Sequence, residues 1–255
     1  MCGRYVIVSP PEALRRLFGY GEQPNMPPRY NIAPTQPVPV VTGGAGARHL
    51  RLMRWGFLPA WLKDPRGFPL LINARAETVA EKAAFRNAVR RRRCLLPADG
   101  YYEWQAQGGR KQPFYIYPRD GGPLAFAGVA ETWCGPDGEE VDTVAIVTAQ
   151  APPDLAVLHH RVPVTVAAAD FACWLDPAAD LRAALALAVP PREGAFAWHP
   201  VSVAVNRVSN DDPRLIAALS DAELAEDTRR ADTGLTRART ARATTKADET
   251  QGVLF

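Results

Sequence analysis

Short segments of alternating or continuous apolar residues, separated by glycine, proline and aspartate, run through most of the chain. Such segments indicate β-strands rather than helices. The predicted strands cover residues 2–8, 38–41, 49–53, 71–75, 94–99, 100–104, 112–117, 124–130, 143–148 and 198–205, with a short strand at 161–163. Residues 43–44, 120–122 and 135–138 are rich in glycine and predict the turns of three hairpins.

The predicted helices are few and short. Ser9 followed by Pro10 and Pro11 is typical of a helix start, and the apolar positions after it predict a helix that ends near Gly19. Further helices are predicted over residues 82–92, 171–175 and 181–187. The first of these ends in four arginines, 90–93, which either complement the helix dipole in solvent or contact phosphate.

Composition narrows the class of protein. The chain has 255 residues, of which 47% are hydrophobic and 22% charged, with a formal net charge of +3. These values are ordinary for a globular protein, and a nucleic-acid partner would need a local basic surface. No signal peptide and no window of about 20 apolar residues is evident, so we expect a cytoplasmic, soluble protein without a membrane partner.

The four cysteines, at positions 2, 94, 134 and 173, form no Cys-x-x-Cys pair and no metal-ligand spacing with the histidines. We therefore expect free thiols in a reducing compartment, no metal and no cofactor.

The last 31 residues differ from the rest in composition. Beyond position 225 the chain is mainly threonine, alanine, arginine and aspartate, with little apolar content. This composition predicts a domain over residues 1–224 and a disordered tail over 225–255. The tail ends in Gln251-Gly252-Val253-Leu254-Phe255, which places two large apolar residues on a polar arm.

Cys2 carries the first candidate chemistry. Removal of Met1 would leave an α-amine beside the thiol, with reference pKa values of about 8 and about 8.5. Such a pair captures an aldehyde first as an imine and then as a five-membered thiazolidine, whereas the thiol alone attacks amides or esters. The alternative is that Cys2 is a small apolar residue of the first strand.

Other polar and aromatic residues stand at places where clefts form. Asn73 and Arg75 lie at the end of a predicted strand. Glu103 lies between large aromatic residues, where a carboxylate either forms a structural hydrogen bond or has its pKa raised for proton transfer. His159 is suited to proton exchange near neutral pH, or else caps a turn. Trp61, in a loop rich in glycine and proline, is either a buried anchor or a platform for an unpaired base. Trp55, in the same loop, has the same two alternatives.

Six motifs occur in order along residues 2–210: Met-Cys-Gly-Arg-Tyr, Arg-Tyr-Asn-Ile-Ala-Pro, Trp-Gly-Phe-Leu-Pro, Ile-Asn-Ala-Arg-Ala-Glu-Thr, Ala-Asp-Gly-Tyr-Tyr-Glu-Trp and His-His-Arg-Val-Pro. Together they resemble the SOS-response-associated peptidase (SRAP) family. The resemblance implies a protein that senses abasic sites in single-stranded DNA and crosslinks to the opened sugar through its N-terminal cysteine, which shields the lesion.

The resemblance also implies roles for individual residues. It assigns the catalytic positions to Cys2, Asn73, Glu103 and His159. It assigns the path of the DNA to Arg4, Arg75 and Arg161. The aromatic rings of Trp55, Trp61 or Trp104 are suited to wedge between bases along that path. Val162 stands where methionine is frequent in the family, a hydrophobic exchange that we expect to leave the chemistry unaffected.

The pattern and the resemblance together predict a single α+β domain with a curved, mostly antiparallel and barrel-like sheet and short helices outside. We expect a monomer at the nucleoid, with lyase-like activity through the imine. Two alternatives stay open: a cysteine peptidase that removes its own Met1 or cleaves protein, and a passive single-strand binder. The C-terminal peptide resembles those that dock on the bacterial replication sliding clamp, through Gln251, Leu254 and Phe255.

Overall fold

The computed structural model describes residues 2–43, 46–108, 110–227 and 229. The strands in these ranges are β1 (Tyr5–Ile7), β2 (Arg29–Ile32), β3 (Pro37–Gly43), β4 (Arg48–Trp55), β5 (Asn73–Arg75), β6 (Arg93–Ala98), β7 (Gly100–Gln107), β8 (Arg110–Pro118), β9 (Leu124–Cys134), β10 (Glu140–Gln150), β11 (Arg161–Pro163) and β12 (Phe196–Pro200). The helices are α1 (Pro11–Phe18), α2 (Ala88–Arg91), α3 (Pro153–Ala156), α4 (Phe171–Leu175) and α5 (Leu181–Ala186).

The strands form two sheets. The first is antiparallel and has the order β12-β8-β7-β1-β2. The second has the order β11-β10-β4-β3-β6-β9 and curls back on itself, because β9 also pairs with β10. Only the pairings of β10 with β4 and β5 are parallel among the described strands. The predicted α+β class with a curved, mostly antiparallel sheet is confirmed, although the second sheet is curled rather than a regular barrel.

Aromatic side chains join the two sheets. Tyr5 of β1 meets the edge of Trp55 at 5.2 Å between ring centroids and that of Phe126 at 6.0 Å. Tyr101 of β7 meets the same Phe126 at 6.1 Å. Edge-to-face pairs of this kind add about 0.5–1.5 kcal/mol each to the burial of their apolar surface. The N-terminal strand is therefore fixed in the core.

The helix after Ser9 is confirmed as α1. It begins with proline in its first turn, and Gly19 ends it in the left-handed conformation with φ 72°. The backbone N–H of Gly19 donates to the Arg15 carbonyl at 2.8 Å, which satisfies one free carbonyl of the last turn. The predicted helices over 171–175 and 181–187 are present as α4 and α5.

The helix predicted over residues 82–92 is wrong for most of its length. Only α2, Ala88–Arg91, is regular, and separate turns precede it. The Ala83 carbonyl, which a continuous helix would use internally, accepts the indole N–H of Trp61 at 3.3 Å instead. A contact with a distant loop thus competes with the local helix.

Two strand predictions need correction. The turn at residues 120–122 does not close a hairpin, because β8 pairs with β7 and β12 whereas β9 pairs with β6 and β10. The chain instead passes there from one sheet to the other, with both glycines at positive φ. The predicted strand over 198–205 ends as β12 at Pro200, and Val203–Asn206 form a 3₁₀ turn.

The predicted disordered tail lies mostly outside the described residues. Residues 221–227 are helical, so this element extends past the predicted boundary at 225. The peptide Gln251 to Phe255 lies wholly outside the described residues. In the described part of the chain, no helix is both long and apolar enough to cross a membrane.

Candidate functional site

Cys2 lies just before β1 and is fully buried. Its Sγ is 3.9 Å from the backbone carbonyl oxygen of Arg4. Burial raises the pKa of the thiol, and the negative charge of Glu103 raises it further. The thiol is therefore neutral at physiological pH, and the proton has to be removed during any reaction at sulfur.

Asn73 holds the backbone beside Cys2. It is the first residue of β5, and the parallel pairing of Asn73 with Ile146 of β10 fixes its position. Its Nδ2 donates to the Cys2 carbonyl oxygen at 2.9 Å. Its Oδ1 is buried and has no hydrogen-bond partner among the described residues. Asn73 thus offers an acceptor next to Cys2 without changing charge.

Glu103 reaches the same place from β7. The antiparallel register pairs Tyr5 with Tyr101, so position 103 lies opposite position 3, the neighbour of Cys2. Only 3% of Glu103 is exposed, and burial raises the pKa of its carboxyl group. A carboxyl group in this state is suited to exchanging a proton near neutral pH.

His159 follows α3 and is half-buried. Burial lowers the pKa of its imidazole to about 4, and the neighbouring His160 lowers it further, against the backbone hydrogen bond with Arg161, which raises it. Its Nδ1 lies 3.0 Å from the backbone N–H nitrogen of Arg161 and 3.3 Å from the carbonyl oxygen of the same residue. Nδ1 can accept from the first or donate to the second, so either neutral tautomer fits. Nε2 can therefore act as donor or acceptor.

The main chain brings these four residues to one region. β5, which carries Asn73, and β11, which follows His159, both pair with β10. Gln105 of β7 donates through Nε2 to the carbonyl of Val157 at 2.8 Å and ties the turn before His159 to the strand of Glu103. Among the described residues, no group of three or more histidine, cysteine or acidic side chains is arranged to hold a metal.

The three arginines predicted to line a DNA path differ in environment. Arg75 is exposed at the end of β5. Arg4 is half-buried and donates to Asn31 Oδ1 and to the Val205 carbonyl, both at 2.8 Å.

Arg161 is buried. It forms a two-point ion pair with Glu77, at 2.7 and 2.9 Å, and also donates to the Thr148 carbonyl. Of the three arginines, only Arg75 presents an exposed guanidinium group at the surface.

The three tryptophans differ in the same way. Trp55 is fully buried, and its indole N–H donates to the Ile72 carbonyl at 2.9 Å. It is a core anchor, and its predicted role as a base wedge is wrong because its ring has no free surface. Trp61 is 55% exposed. Trp104 is half-buried, and its indole N–H donates to Asn206 Oδ1 at 2.8 Å.

Asn31 is a residue of this region that the sequence does not identify as important, although it stands in one of the six motifs. Its Nδ2 lies 2.8–3.2 Å from three backbone carbonyls of one loop: Val205, Arg207 and Asn210. Together with Arg4 it holds this loop beside the N-terminal segment. The only signal in the sequence is the polar residue between Tyr30 and Ile32.

Comparisons with family models and with individual proteins point to the same family. A family model described as SOS response associated peptidase (SRAP) matches residues 1–208. The abasic site processing protein YoqW of Bacillus subtilis is 32% identical over 221 residues, which are 85% of this chain and 99% of that protein. The abasic site processing protein YedK of Escherichia coli is 33% identical over 226 residues, with 85% and 99% covered. The abasic site processing protein HMCES of Gallus gallus is 32% identical over 264 residues, with 86% and 78% covered.

Solved structures show the same fold. A protein from Bacteroides thetaiotaomicron aligns with a TM-score of 0.77 at 23% identity and covers 86% of this chain and all of its own. A phage-related protein from Bordetella bronchiseptica aligns with a TM-score of 0.65 at 31% identity and covers 78% of this chain and 94% of its own.

Proposed function

The chain belongs to the SOS response associated peptidase (SRAP) family, and on that premise we propose that it processes abasic sites in single-stranded DNA. After Met1 is removed, Cys2 forms a thiazolidine with the opened sugar aldehyde, and this adduct shields the lesion. The names of the relatives support the substrate class. The observation that carries the proposal is the 2.9 Å hydrogen bond from Asn73 to the Cys2 carbonyl, opposite the buried Glu103.

The reaction begins with ring opening. An abasic sugar is mostly a closed hemiacetal, so its hydroxyl proton has to be removed and a proton returned to the ring oxygen. The neutral ring of His159 exchanges a proton through Nε2 and serves this step. Asn73 Oδ1 accepts a hydrogen bond from the Cys2 amine or from a sugar hydroxyl.

Capture of the aldehyde then proceeds in three steps. The Cys2 amine adds to the aldehyde carbon and gives a carbinolamine. One proton moves from its nitrogen to its oxygen; protonated Glu103 then gives its own proton to the hydroxyl, so the C–O bond breaks, water leaves and an iminium ion forms. The thiol then adds to the same carbon, the C–S bond closes the ring, and the thiol proton returns to Glu103. The iminium stage also permits β-elimination at the sugar, which would be a lyase-like side reaction.

The environment of the Cys2 thiol favours aldehyde capture over peptide cleavage. A cysteine peptidase needs a thiolate, which requires a lowered thiol pKa. Burial and the charge of Glu103 instead raise the pKa of Cys2. A thiol that adds to an iminium ion in the last step has no such requirement, because the electrophile is already activated.

Intact-mass measurement tests the proposal. The purified full chain is weighed before and after incubation with a single-stranded oligonucleotide that carries one abasic site. We expect a mass without Met1 and then a gain equal to the oligonucleotide minus water. Cys2→Ala abolishes the gain, whereas Cys134→Ala, at an exposed cysteine, leaves it unchanged. Retained Met1, or no mass gain in a chain from which Met1 has been removed, would contradict the proposal. A cleaved peptide without a DNA adduct would favour the peptidase.

DNA is held by a smaller set of residues than the family resemblance implies. Exposed Arg75 binds phosphate, and Trp61 and Trp104 stack on or wedge between bases. Arg4 and Arg161 act by holding the loops and strands that form the binding surface.

The C-terminal peptide docks on the bacterial replication sliding clamp, with Leu254 and Phe255 as its apolar anchors. Such a tether would raise the local concentration of the domain at replicating DNA. Clamp binding by the full chain is compared with binding by a chain that lacks residues 251–255. Binding that is absent from both, or unchanged by the deletion, would refute this partner.

A further inference from the structure

The loop over residues 203–210 is held beside the N-terminal segment by buried groups. Only 2% of Asn31 is exposed, and its amide group lies within hydrogen-bond distance of three carbonyls of this loop. The guanidinium group of Arg4 donates both to the Asn31 side chain and to the Val205 carbonyl. Within the loop, Nδ2 of Asn210 donates to a backbone carbonyl at 2.9 Å. The main chain of the loop is thus fixed before any ligand binds.

The same loop fixes an aromatic ring. Oδ1 of Asn206 accepts the indole N–H of Trp104 at 2.8 Å. On β7 the ring of Tyr102 lies 6.5 Å from that of Trp104, centroid to centroid. Trp104 is half-buried, so part of its ring faces solvent. An indole that is held in this way offers a surface on which an unpaired base can stack.

The residue after Asn206 is an arginine whose charge is unused. Arg207 is exposed, and its guanidinium group has no hydrogen bond or ion pair with the described residues. Its backbone N–H donates to the Ala204 carbonyl at 3.2 Å, and its carbonyl accepts from Asn31 at 3.1 Å. Because consecutive Cα atoms are about 3.8 Å apart, this cation stands next to the residue that holds Trp104.

The register of the first sheet places Trp104 beside Cys2. The backbone N–H of Tyr102 donates to the Arg4 carbonyl at 3.0 Å, which continues the antiparallel pairing of β1 with β7. Extended by two residues, this register places Cys2 opposite Trp104. Side chains alternate along a strand, so Glu103 and Trp104 point to opposite faces of β7. A DNA strand that contacts both therefore turns at the end of the N-terminal segment.

We propose that Trp104 and Arg207 form a subsite for one nucleotide next to the abasic sugar. The indole stacks on the base of this nucleotide, and the guanidinium group binds its phosphate. This inference deepens the proposed function and rests on it. An aromatic ring beside a cation is a common way to bind single strands without reading their sequence, so the subsite accepts any base. Asn31 and Asn206 are positioning residues that hold the loop and the ring and do not touch the DNA.

The test measures binding by fluorescence anisotropy, with the full chain in a Cys2→Ala background. The oligonucleotides are single-stranded and carry a central tetrahydrofuran, an abasic analogue without an aldehyde. In one series a neutral methylphosphonate replaces one phosphate at a time. In a second series another tetrahydrofuran removes one neighbouring base at a time.

The variants separate charge from stacking. Arg207→Gln removes the charge, Arg207→Lys keeps it, and Trp104→Ala removes the ring. Arg214→Gln is the matched control, because Arg214 is an exposed arginine of the same segment whose charge is already paired with Asp212 at 2.8 Å. We expect Arg207→Gln to melt at the wild-type temperature, since its side chain has no hydrogen bond or ion pair to lose.

We expect methylphosphonate at one position to weaken binding to the wild-type subsite but not to Arg207→Gln. The slope of log affinity against log salt falls by about 0.7 in Arg207→Gln, as for the loss of one phosphate contact. Arg207→Lys and Arg214→Gln keep the full slope. One neighbouring base contributes about tenfold to affinity when Trp104 is present and nothing in Trp104→Ala. The phosphate and the base belong to the same nucleotide.

Other outcomes overturn the subsite. An unchanged salt slope in Arg207→Gln, or the same pattern of methylphosphonate effects as with arginine, would refute the phosphate contact. A base effect that persists in Trp104→Ala would refute the stacking. Intact mass of the chain that retains Cys2 scores the covalent reaction separately. Adduct formation together with normal binding by both variants refutes the subsite alone, whereas a wild type that forms no adduct refutes the proposed function.

Discussion

At the scale of single residues, Glu103 combines a role in the proposed reaction with a cost to stability. A carboxyl group whose pKa is raised on folding stabilises the folded state below its unfolded pKa of about 4.3, and this contribution is lost as the pH rises through the folded value. Burial raises the pKa of Glu103, so at pH 7.5 its ionisation works against folding.

We therefore expect Glu103→Gln to melt at a higher temperature than the wild type at pH 7.5. The difference shrinks as the pH falls to 4, and adduct formation is lost at every pH, by ~10²–10⁴-fold. Thermal melts across this pH range check the first expectation and intact mass the second. Glu131→Gln, which removes an ion pair with Arg92 at 2.8 Å, gives no such gain. A lower melting temperature for Glu103→Gln at pH 7.5 would contradict the interpretation.

The effect of His159 on stability depends on pH in the opposite direction. Its pKa is lowered, so its neutral form supports the fold above the ordinary pKa of about 6.5, and that support is lost as the pH falls through about 4. We expect its imidazole to titrate with a midpoint near pH 4 in a nitrogen-15 NMR titration of the folded chain. A midpoint above 6 would mean that the ring is more exposed to water than in this structure.

The residues of the site were predictable in part. Cys2, Asn73 and Glu103 stand in motifs, and the structure brings them together. The sequence left the burial of Trp55 as one of two alternatives, because an aromatic residue in a segment rich in glycine and proline is either a core anchor or an exposed platform. The ion pair of Arg161 was not predictable either, since Glu77 lies 84 positions away and only tertiary packing joins them.

At the scale of elements, Arg93 links two helix ends. It is buried at the start of β6 and follows α2. Its guanidinium donates to four backbone carbonyls: Trp174 at 2.6 Å, Val89 at 2.8 Å, Arg90 at 3.1 Å, and Asp176. One side chain thus satisfies free carbonyls at the C-terminal ends of α2 and α4, which neither helix can satisfy internally.

We expect Arg93→Met to lower the free energy of unfolding by on the order of 3 kcal/mol, because it leaves buried carbonyls without donors. Arg90→Met, at an exposed position of the same arginine run, changes it by less than about 0.5 kcal/mol. Urea denaturation of both variants measures the difference. Equal effects at the two positions would show that the carbonyls find other donors.

The elements themselves were largely predictable, and their pairing was not. Apolar runs bounded by glycine and proline identified most of the strands, including the hairpin of β9 and β10. The same kind of glycine turn between β8 and β9 connects two sheets instead. A turn fixes only that the chain reverses or bends there, and the choice of partner depends on strands far away in the sequence.

At the scale of the whole molecule, arginines of the proposed DNA surface and arginines of the structural frame differ in exposure. Arg75 is exposed, whereas Arg161 is buried against Glu77. Phosphate contacts weaken with salt, and each one contributes about 0.7 to the slope of log affinity against log salt for single strands.

We expect Arg75→Ala to weaken binding to single-stranded DNA and to reduce this slope by about 0.7, with an unchanged melting temperature. Arg161→Ala instead lowers the melting temperature, since it leaves Glu77 without its partner. Fluorescence anisotropy in a Cys2→Ala background measures binding without covalent capture. A reduced salt slope for Arg161→Ala without loss of stability would place Arg161 on the DNA path.

The position of β1 between β7 and β2 has a mechanical consequence. The proposed adduct at Cys2 would attach the DNA next to a strand that hydrogen-bonds on both sides. A motor that pulls on the DNA would load this strand directly, and the bond would transmit the force to an interior strand of the first sheet rather than to its edge. Pulling β1 out removes Tyr5 from the aromatic contacts that join the two sheets. The domain would therefore resist small forces on the DNA. A force large enough to pull β1 out of the sheet would unfold the domain that shields the adduct.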